Sequence, residues 1–352
     1  MGKIVKKILL TILILILLLV TIFLMGAWAI FGEKVKAAGT VKEIDKNLYC
    51  MEYKGDYGFD AYLEQGGAAS TEEMAAYITD FLSGGFMSQA PTMGKMNFGC
   101  TTYTAKTADG GALMGRNYDW DGENKPAMIV YTEPKNGYAS YSTCWLDFLG
   151  FGKDWKPDGF TNQYISLAAV YVPLDGINEK GLAIADLMVG DDEQTNQKTD
   201  KVDLTTTTAI RLLLDKAATV DEAIALLEQY DMHSDIGTGH HLAISDATGK
   251  SVVVEYVDNI MYVTETPIVT NHYLTEGEKY GVGNEESHAR FARVLAMDEE
   301  AGSVMDAAMV RDVMQNASYP DTQWSIVFDM ENKAMDFYWL RQYENPHHFE
   351  LK

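Results

Sequence analysis

The sequence predicts an α+β body behind one N-terminal membrane-spanning helix, and three observations carry that expectation. Strand-type segments gather at both ends of the body, around 100–132 and 323–340, and amphipathic helical segments lie between them. An uncharged apolar run precedes everything. Strands at both ends with helices between point to packed layers, two sheets face to face with helices outside.

The apolar run comes first. Met1 to Lys7 holds three lysines, and no charged residue follows from Ile8 to Gly32. At about 1.5 Å per residue such a helix crosses a hydrocarbon core of roughly 30 Å, whereas a cleaved signal has an apolar region of only about 7–15 residues. Residues 1–32 are therefore read as a signal anchor, a single-pass membrane segment with the remainder extracytoplasmic. The alternative is a signal peptide cut after Ala27-Trp28-Ala29, which would make the protein secreted. In both cases the lysines keep the N-terminus in the cytoplasm.

The chain as a whole is acidic: 51 Asp and Glu against 28 Lys and Arg give a formal net charge of −23. Nucleic acid and anionic headgroups would be repelled, so neither is expected as a partner. There are three cysteines, Cys50, Cys100 and Cys144. An odd count outside the cytoplasm leaves at least one thiol unpaired. If that one is Cys100, the other two either pair or stay buried as small apolar residues.

Ser70-Thr71-Glu72-Glu73 reads as a capping box opening a helix whose apolar face is Met74, Tyr77, Ile78, Phe81 and Leu82, closed by Gly84-Gly85. Residues 101–106 alternate as a strand, Asp109-Gly110-Gly111 supplies a tight turn, and 112–118 returns. Ala127 to Thr132 reads as a strand. The stretch 133–163 is irregular and aromatic, either a pocket wall or lid suited to an apolar acyl group or a satellite cluster packed under the loop. Tyr164 to Val172 and Gly181 to Val189 read as two strands joined by an Asp175-Gly176 turn. Leu204 to Ala217 and Val220 to Tyr230 are scaffold helices. Leu242 to Asp246 and Ser251 to Tyr256 form a hairpin, and Ile260 to Thr264 is a further strand ahead of Ile268-Val269-Thr270-Asn271. Ser287 to Glu299 and Val304 to Met314 are helices, and Gln323 to Phe328 with Ala334 to Leu340 is a closing hairpin. His240-His241 invites a metal, but neighbours on a strand face opposite ways and no ligand set completes it. No metal and no cofactor are assigned.

The central hairpin carries the chemistry. It brings Cys100, at its start, beside Arg116 and Asp119, at its end. A thiol acts as a nucleophile only as thiolate, which a nearby guanidinium favours. Asp119 suits an amine, which matters if Cys100 carries a free α-amino group. Such an amine, with an unperturbed pKa of roughly 7.7–8.0, can itself take the proton of the nucleophile.

Cys100-Thr101-Thr102 followed by Gly115-Arg116-Asn117-Tyr118-Asp119-Trp120 resembles the opening of the choloylglycine hydrolase family, with its bile-salt hydrolases and penicillin V acylases, and that of acid ceramidase and the N-acylethanolamine amidases. Three later blocks agree in order: 176–185, Ile268 to Asn271, and His288-Ala289-Arg290-Phe291. The likeness spans nearly all of 100–352. It implies the four-layer αββα sandwich of N-terminal nucleophile hydrolases and hydrolysis of a linear amide in a small N-acyl compound. It also implies 33–99 as a propeptide, removed from Cys100 by autoproteolysis at Gly99-Cys100, and 100–352 as the catalytic domain. Carried over by motif, Cys100 is the nucleophile, Arg116, Asp119 and Arg290 support it, and Asn271 with the backbone N–H of Met188 holds the oxyanion. The family has Asn or Tyr where Met188 stands, so specificity does not transfer. Acyl transfer to another amine is the alternative within enzymes, and a non-catalytic surface-anchored binding protein is the alternative outside them. Homo-oligomerisation is left open.

Overall fold

The computed structural model describes residues 2–84, 98–120, 125–149, 155–189, 191 and 193–352. The apolar run continues unbroken into helix α1 (Gly2–Ala38). Among the described residues this is the one helix long and apolar enough to cross a membrane, a test that a signal sequence also passes. Only its last turns enter the body, where Lys34, Ala37 and Ala38 are buried and the Lys34 ammonium lies 3.7 Å from the centre of the Phe81 ring.

Strands β1 (Lys42–Asp45) and β2 (Leu48–Lys54) and helices α2 (Phe59–Glu64) and α3 (Thr71–Ser83) follow. Helix α3 begins as its capping residues require. Ser70 Oγ accepts from the Glu73 N–H at 3.2 Å, and Gly84, at φ 64°, ends it in the left-handed conformation that favours glycine. Strands β3 (Phe98–Lys106) and β4 (Ala112–Trp120) form the expected hairpin, with Gly99 opposite Asp119 and Cys100 opposite Tyr118. Gly110, at φ 94°, takes the turn.

After β5 (Ala127–Glu133) the aromatic stretch is less irregular than its glycines suggest. It holds β6 (Ser140–Trp145) and a 3-10 turn, Leu146–Leu149, while Gly150, Phe151 and Gly152 lie outside the described residues. The strand expected over 164–172 is instead the end of α4 (Gly159–Ile165) and a 3-10 turn, Ser166–Tyr171. Six consecutive buried side chains there satisfied a strand pattern and a buried turn equally well. The supposed Asp175-Gly176 turn is itself a strand, β7 (Asp175–Asn178), which pairs antiparallel with β8 (Ala183–Met188).

Strand β9 (Val202–Thr205) leads into α5 (Thr206–Lys216) and α6 (Val220–Leu227), and β10 (Tyr230–His233) runs parallel to β9. Next come β11 (His240–Ser245), β12 (Ser251–Val257), β13 (Ile260–Glu265) and β14 (Ile268–Val269). Helices α7 (Glu285–Ala301) and α8 (Ala307–Asn316) precede the closing strands β15 (Thr322–Asp329), β16 (Ala334–Trp339) and β17 (His347–Glu350).

The strands make one nine-stranded sheet, β1-β2-β5-β6-β7-β8-β11-β12-β13, and one six-stranded sheet, β14-β3-β4-β15-β16-β17. Period-two alternation sorts their side chains into layers. Met114, Tyr118, Trp324, Ile326, Phe328, Ala185 and Val253 fill the space between the sheets. Their neighbours Ile184, Leu242, Ile244, Val252 and Val254 face Ile210, Leu213 and Ala223 of α5 and α6. Leu113 and Val327 face Val294, Val310 and Val313 of α7 and α8. This is the four-layer αββα sandwich.

Residues ahead of Cys100 are part of this body. Strand β2 pairs in parallel with β5 over seven residues, and Tyr57 donates to the buried Asp215 carboxylate at 2.5 Å. All three cysteines are free. Alternation explains why Cys50 and Cys144 do not pair: Cys50 sits beside Ile129, which points between the sheets, and Cys144 beside Met128, which points to the helices.

Candidate active site

The hairpin, the end of β8, the turn after β14 and the start of α7 meet around Cys100. Its side chain is 3% exposed and opens on a cavity of about 230 Å³. The cavity walls are Met74, Ile78 and Leu82 of α3, Phe148 and Leu149 of the aromatic stretch, and Tyr118, Trp120 and Met188.

Arg116 is wholly buried on β4. Its Nε lies 3.2 Å from Asp175 Oδ2, and its two terminal nitrogens donate to the Asn117 and Asp186 carbonyls at 2.7 and 2.8 Å. Fixed in this way, the guanidinium acts on Cys100. Burial pushes the thiol up and Arg116 pulls it down, and burial prevails. Asp175 is a partner that the sequence reading missed, because a turn Asp-Gly hid a buried strand carboxylate. It also accepts from Thr143 and, at 3.0 Å, from Trp324 Nε1.

Asp119 is 3% exposed. Its Oδ1 accepts from Thr322 Oγ1 at 2.5 Å, whereas Oδ2 has no hydrogen-bond partner among the described residues and lies 3.9 Å from Arg290. Burial, opposed by Arg290, raises its pKa to about 6. A Cβ on Gly99 would stand 3.0 Å from that orphaned oxygen, so glycine lets the carboxylate approach the backbone there.

Asn271 joins three groups. Its Oδ1 accepts from the Cys100 backbone N–H at 2.6 Å and from Arg290 at 2.7 Å, and its Nδ2 donates to the Met188 carbonyl at 2.6 Å. Arg290 also donates to the Cys100 carbonyl and, at 2.8 Å, to Thr101 Oγ1. The Asp186 N–H donates to the Leu174 carbonyl. Strand alternation turns the Met188 N–H to the same side, where Leu174 and Val172 edge the cavity. The other five residues expected from the sequence are thus placed around Cys100.

His240 and His241 do face opposite ways. His240 lines the cavity, while His241 Nδ1 lies 2.6 Å from Glu255 Oε1 between the sheets. Glu255 in turn accepts from the Leu274 and Thr275 N–H groups and so fixes the turn after Asn271. The one signal for it in the sequence was a carboxylate closing a run of three valines.

The family described as acyl-coenzyme A:6-aminopenicillanic acid acyl-transferase matches residues 106–343, more than half of the chain. The chain belongs to this family. Arg116, Asp119, Met188, Asn271 and Arg290 fall inside the match, and Cys100 just ahead of it. A penicillin V acylase of Pectobacterium atrosepticum is 26% identical over 159 residues, 42% of this chain and 40% of that protein. The chain therefore aligns with less than half the length of this family relative. Among solved structures, penicillin V acylase from Agrobacterium tumefaciens superposes with a TM-score of 0.52 at 20% identity, covering 72% of this chain and 86% of its own. A mutant of conjugated bile acid hydrolase from Clostridium perfringens gives 0.53 at 18%, covering 72% and 92%. These likenesses bear on the fold, and they agree with the αββα layering of this family member.

Proposed function

We propose that this family member is a cysteine amide hydrolase acting on small N-acyl compounds, with its nucleophile exposed by cleavage of its own Gly99-Cys100 bond. The observation that carries the reading is the Asp119 oxygen left without a hydrogen bond among the described residues, across the hairpin from Gly99, whose bond to Cys100 such a cut would break to leave an amine. A buried carboxylate oxygen without a donor is costly, and a new ammonium would supply one.

In the mature form the Cys100 sulfur attacks the acyl carbon and its α-amine takes the thiol proton. The Met188 N–H and Asn271 Nδ2 stabilise the oxyanion, the latter giving up its bond to the Met188 carbonyl. The amine then hands its proton to the leaving nitrogen, the C–N bond breaks, and a thioester remains. Water activated by the same amine releases the acid. Arg116 and Arg290 offset the negative charge, and Asp119 holds the amine in place. Maturation uses the same sulfur on the Gly99 carbonyl, in an N-to-S shift that water completes. Residues 33–99 are then a pro-segment by sequence and a wall of the site by position.

Acyl transfer to a second amine would use the same thioester, and the description of the matching family favours it as the second reading. The test is to purify the full chain in detergent, establish the state of the Gly99-Cys100 bond by mass spectrometry, and offer penicillin V, bile-salt conjugates and fatty acyl amides with and without acceptor amines. Acid release by the cut chain alone, lost in Cys100→Ala, is expected. Equal activity from a chain shown to be uncut would overturn the amine-as-base assignment.

A further inference from the structure

The cavity at Cys100 is apolar on most of its surface, but one wall is ionic and takes no part in the chemistry above. Asp186, on β8 two residues before Met188, is 7% exposed and lines the cavity together with His240, which is 8% exposed. His240 Nδ1 lies 2.8 Å from Asp186 Oδ1, and its Nε2 lies 3.0 Å from the Asp235 carbonyl. Both ring nitrogens therefore face acceptors, which only the doubly protonated ring satisfies. Burial works against the charged ring, yet Asp186 and Asp235 hold its pKa above the ordinary value.

Two consequences follow from that pairing. His240 has no N–H left for a ligand. Asp186 has one oxygen on that ring, and its second oxygen receives no hydrogen bond from any described residue. Asp235 lines the same cavity, with its own oxygens taken by Thr71 Oγ1 at 2.9 Å and the Thr207 N–H at 2.8 Å.

We propose that Asp186 is a specificity residue that accepts a hydrogen bond from a donor, a hydroxyl or an ammonium, on the acyl part of the substrate. His240 is the positioning residue that holds and aims the carboxylate. The donor is assigned to the acyl part because the cavity that Asp186 lines is otherwise walled largely by apolar side chains, among them Met74, Ile78, Leu82 and Phe148, which suit a hydrocarbon chain. An acyl chain without a donor leaves the Asp186 oxygen desolvated and unpaired, and the site rejects it for that reason. This inference rests on the amidase reading for the identity of the ligand, but its test does not need turnover.

The full-length Cys100→Ala chain in detergent is titrated by calorimetry with N-alkyl amides of one straight-chain acid. The series carries hydrogen, hydroxyl or ammonium at each of several carbons. The best hydroxyl or ammonium ligand is expected to bind about tenfold or more tighter than the plain one, and Asp186→Ala should bring that ratio close to one. Asp186→Asn, which keeps the shape, should lose the ammonium preference more than the hydroxyl preference, and thermal unfolding establishes that both variants fold. Equal binding of all three ligand types, or a preference that survives Asp186→Ala, overturns the proposal. Amide hydrolysis by the Cys100 chain without donor preference would sink this inference and leave the amidase reading standing. Donor preference in binding without hydrolysis would do the reverse.

Discussion

Among the described residues the buried Asp119 carboxyl has one hydrogen bond and one oxygen without a partner, and in an uncut chain that should appear as a pH-dependent loss of stability. The perturbation is Asp119→Asn on a Cys100→Ala background, which cannot cut itself. The carboxyl of Asp119 is raised from an ordinary 3.8 to about 6. Between those values the native chain keeps a proton that the unfolded chain has released, so stability falls as pH rises through this window. Roughly two units at 1.36 kcal/mol each give a cost of about 3 kcal/mol, complete above about pH 7. The asparagine variant has no such titration. Its advantage over the parent should be near zero at about pH 4 and grow to as much as about 3 kcal/mol near neutrality, less whatever its own amide loses there. Urea unfolding in detergent, followed by tryptophan fluorescence at several pH values, measures the difference directly. Two curves that stay parallel from acid to neutral pH would refute the account of Asp119 as an acceptor still waiting for its donor.

Asn271→Ala should lower kcat by about 10²–10³ with the fold intact, the usual loss for one preorganised oxyanion donor, and turnover close to wild type would remove it from the mechanism. Ile78→Trp on α3 should fill the cavity and shift kcat/KM toward shorter acyl chains; an unchanged chain-length profile would mean that this wall does not meet substrate. A chain made to begin at Cys100 lacks β1, β2 and α3, and should be recovered insoluble or unfolded unless residues 33–99 are supplied alongside, which circular dichroism and solubility decide. If α1 is retained, the uncut chain should stay with membranes through a high-salt wash, while precursor recovered from the medium beginning at Ile30 would favour a cleaved signal.

The hairpin was legible because its signals are local. Strand alternation, an Asp-Gly-Gly turn and the order of Cys100, Arg116 and Asp119 all lie within one short stretch, and the register followed from the turn. The helices α3, α5, α6, α7 and α8 were legible from capping residues and 3.6-residue periodicity. What failed was buried on both faces. Residues 166–171 and 175–178 carry no polar alternation, so a 3-10 turn passed for a strand and a strand for a turn. The pairing of Arg116 with Asp175, and of Asp186 with His240, joins segments 59 and 54 residues apart. No local pattern encodes such contacts, and an acid in a strand gives no sign of its partner until the sheet order is known.

The contacts of the segment ahead of Cys100 would survive a cut at Gly99-Cys100. Strand β2 contributes main-chain hydrogen bonds to β5 along seven residues, and Tyr57 reaches the buried Asp215 carboxylate. Helix α3 buries Met74 and Ile78, at about 1.5–3 kcal/mol for each side chain fully withdrawn from water. None of these contacts depends on the Gly99-Cys100 bond. Cleaving that bond would release one covalent link within a sheet whose other links persist, so the new amine would appear inside a preformed site. Residues 33–99 would then have two roles in one position: before the cut they block the base by occupying its nitrogen, and afterwards they form a wall of the acyl pocket. Selection for substrate fit and selection for self-cleavage would act on the same helix, and a change at Ile78 or Leu82 that altered the acyl group accepted need not disturb the thiol, the arginines or Asp119.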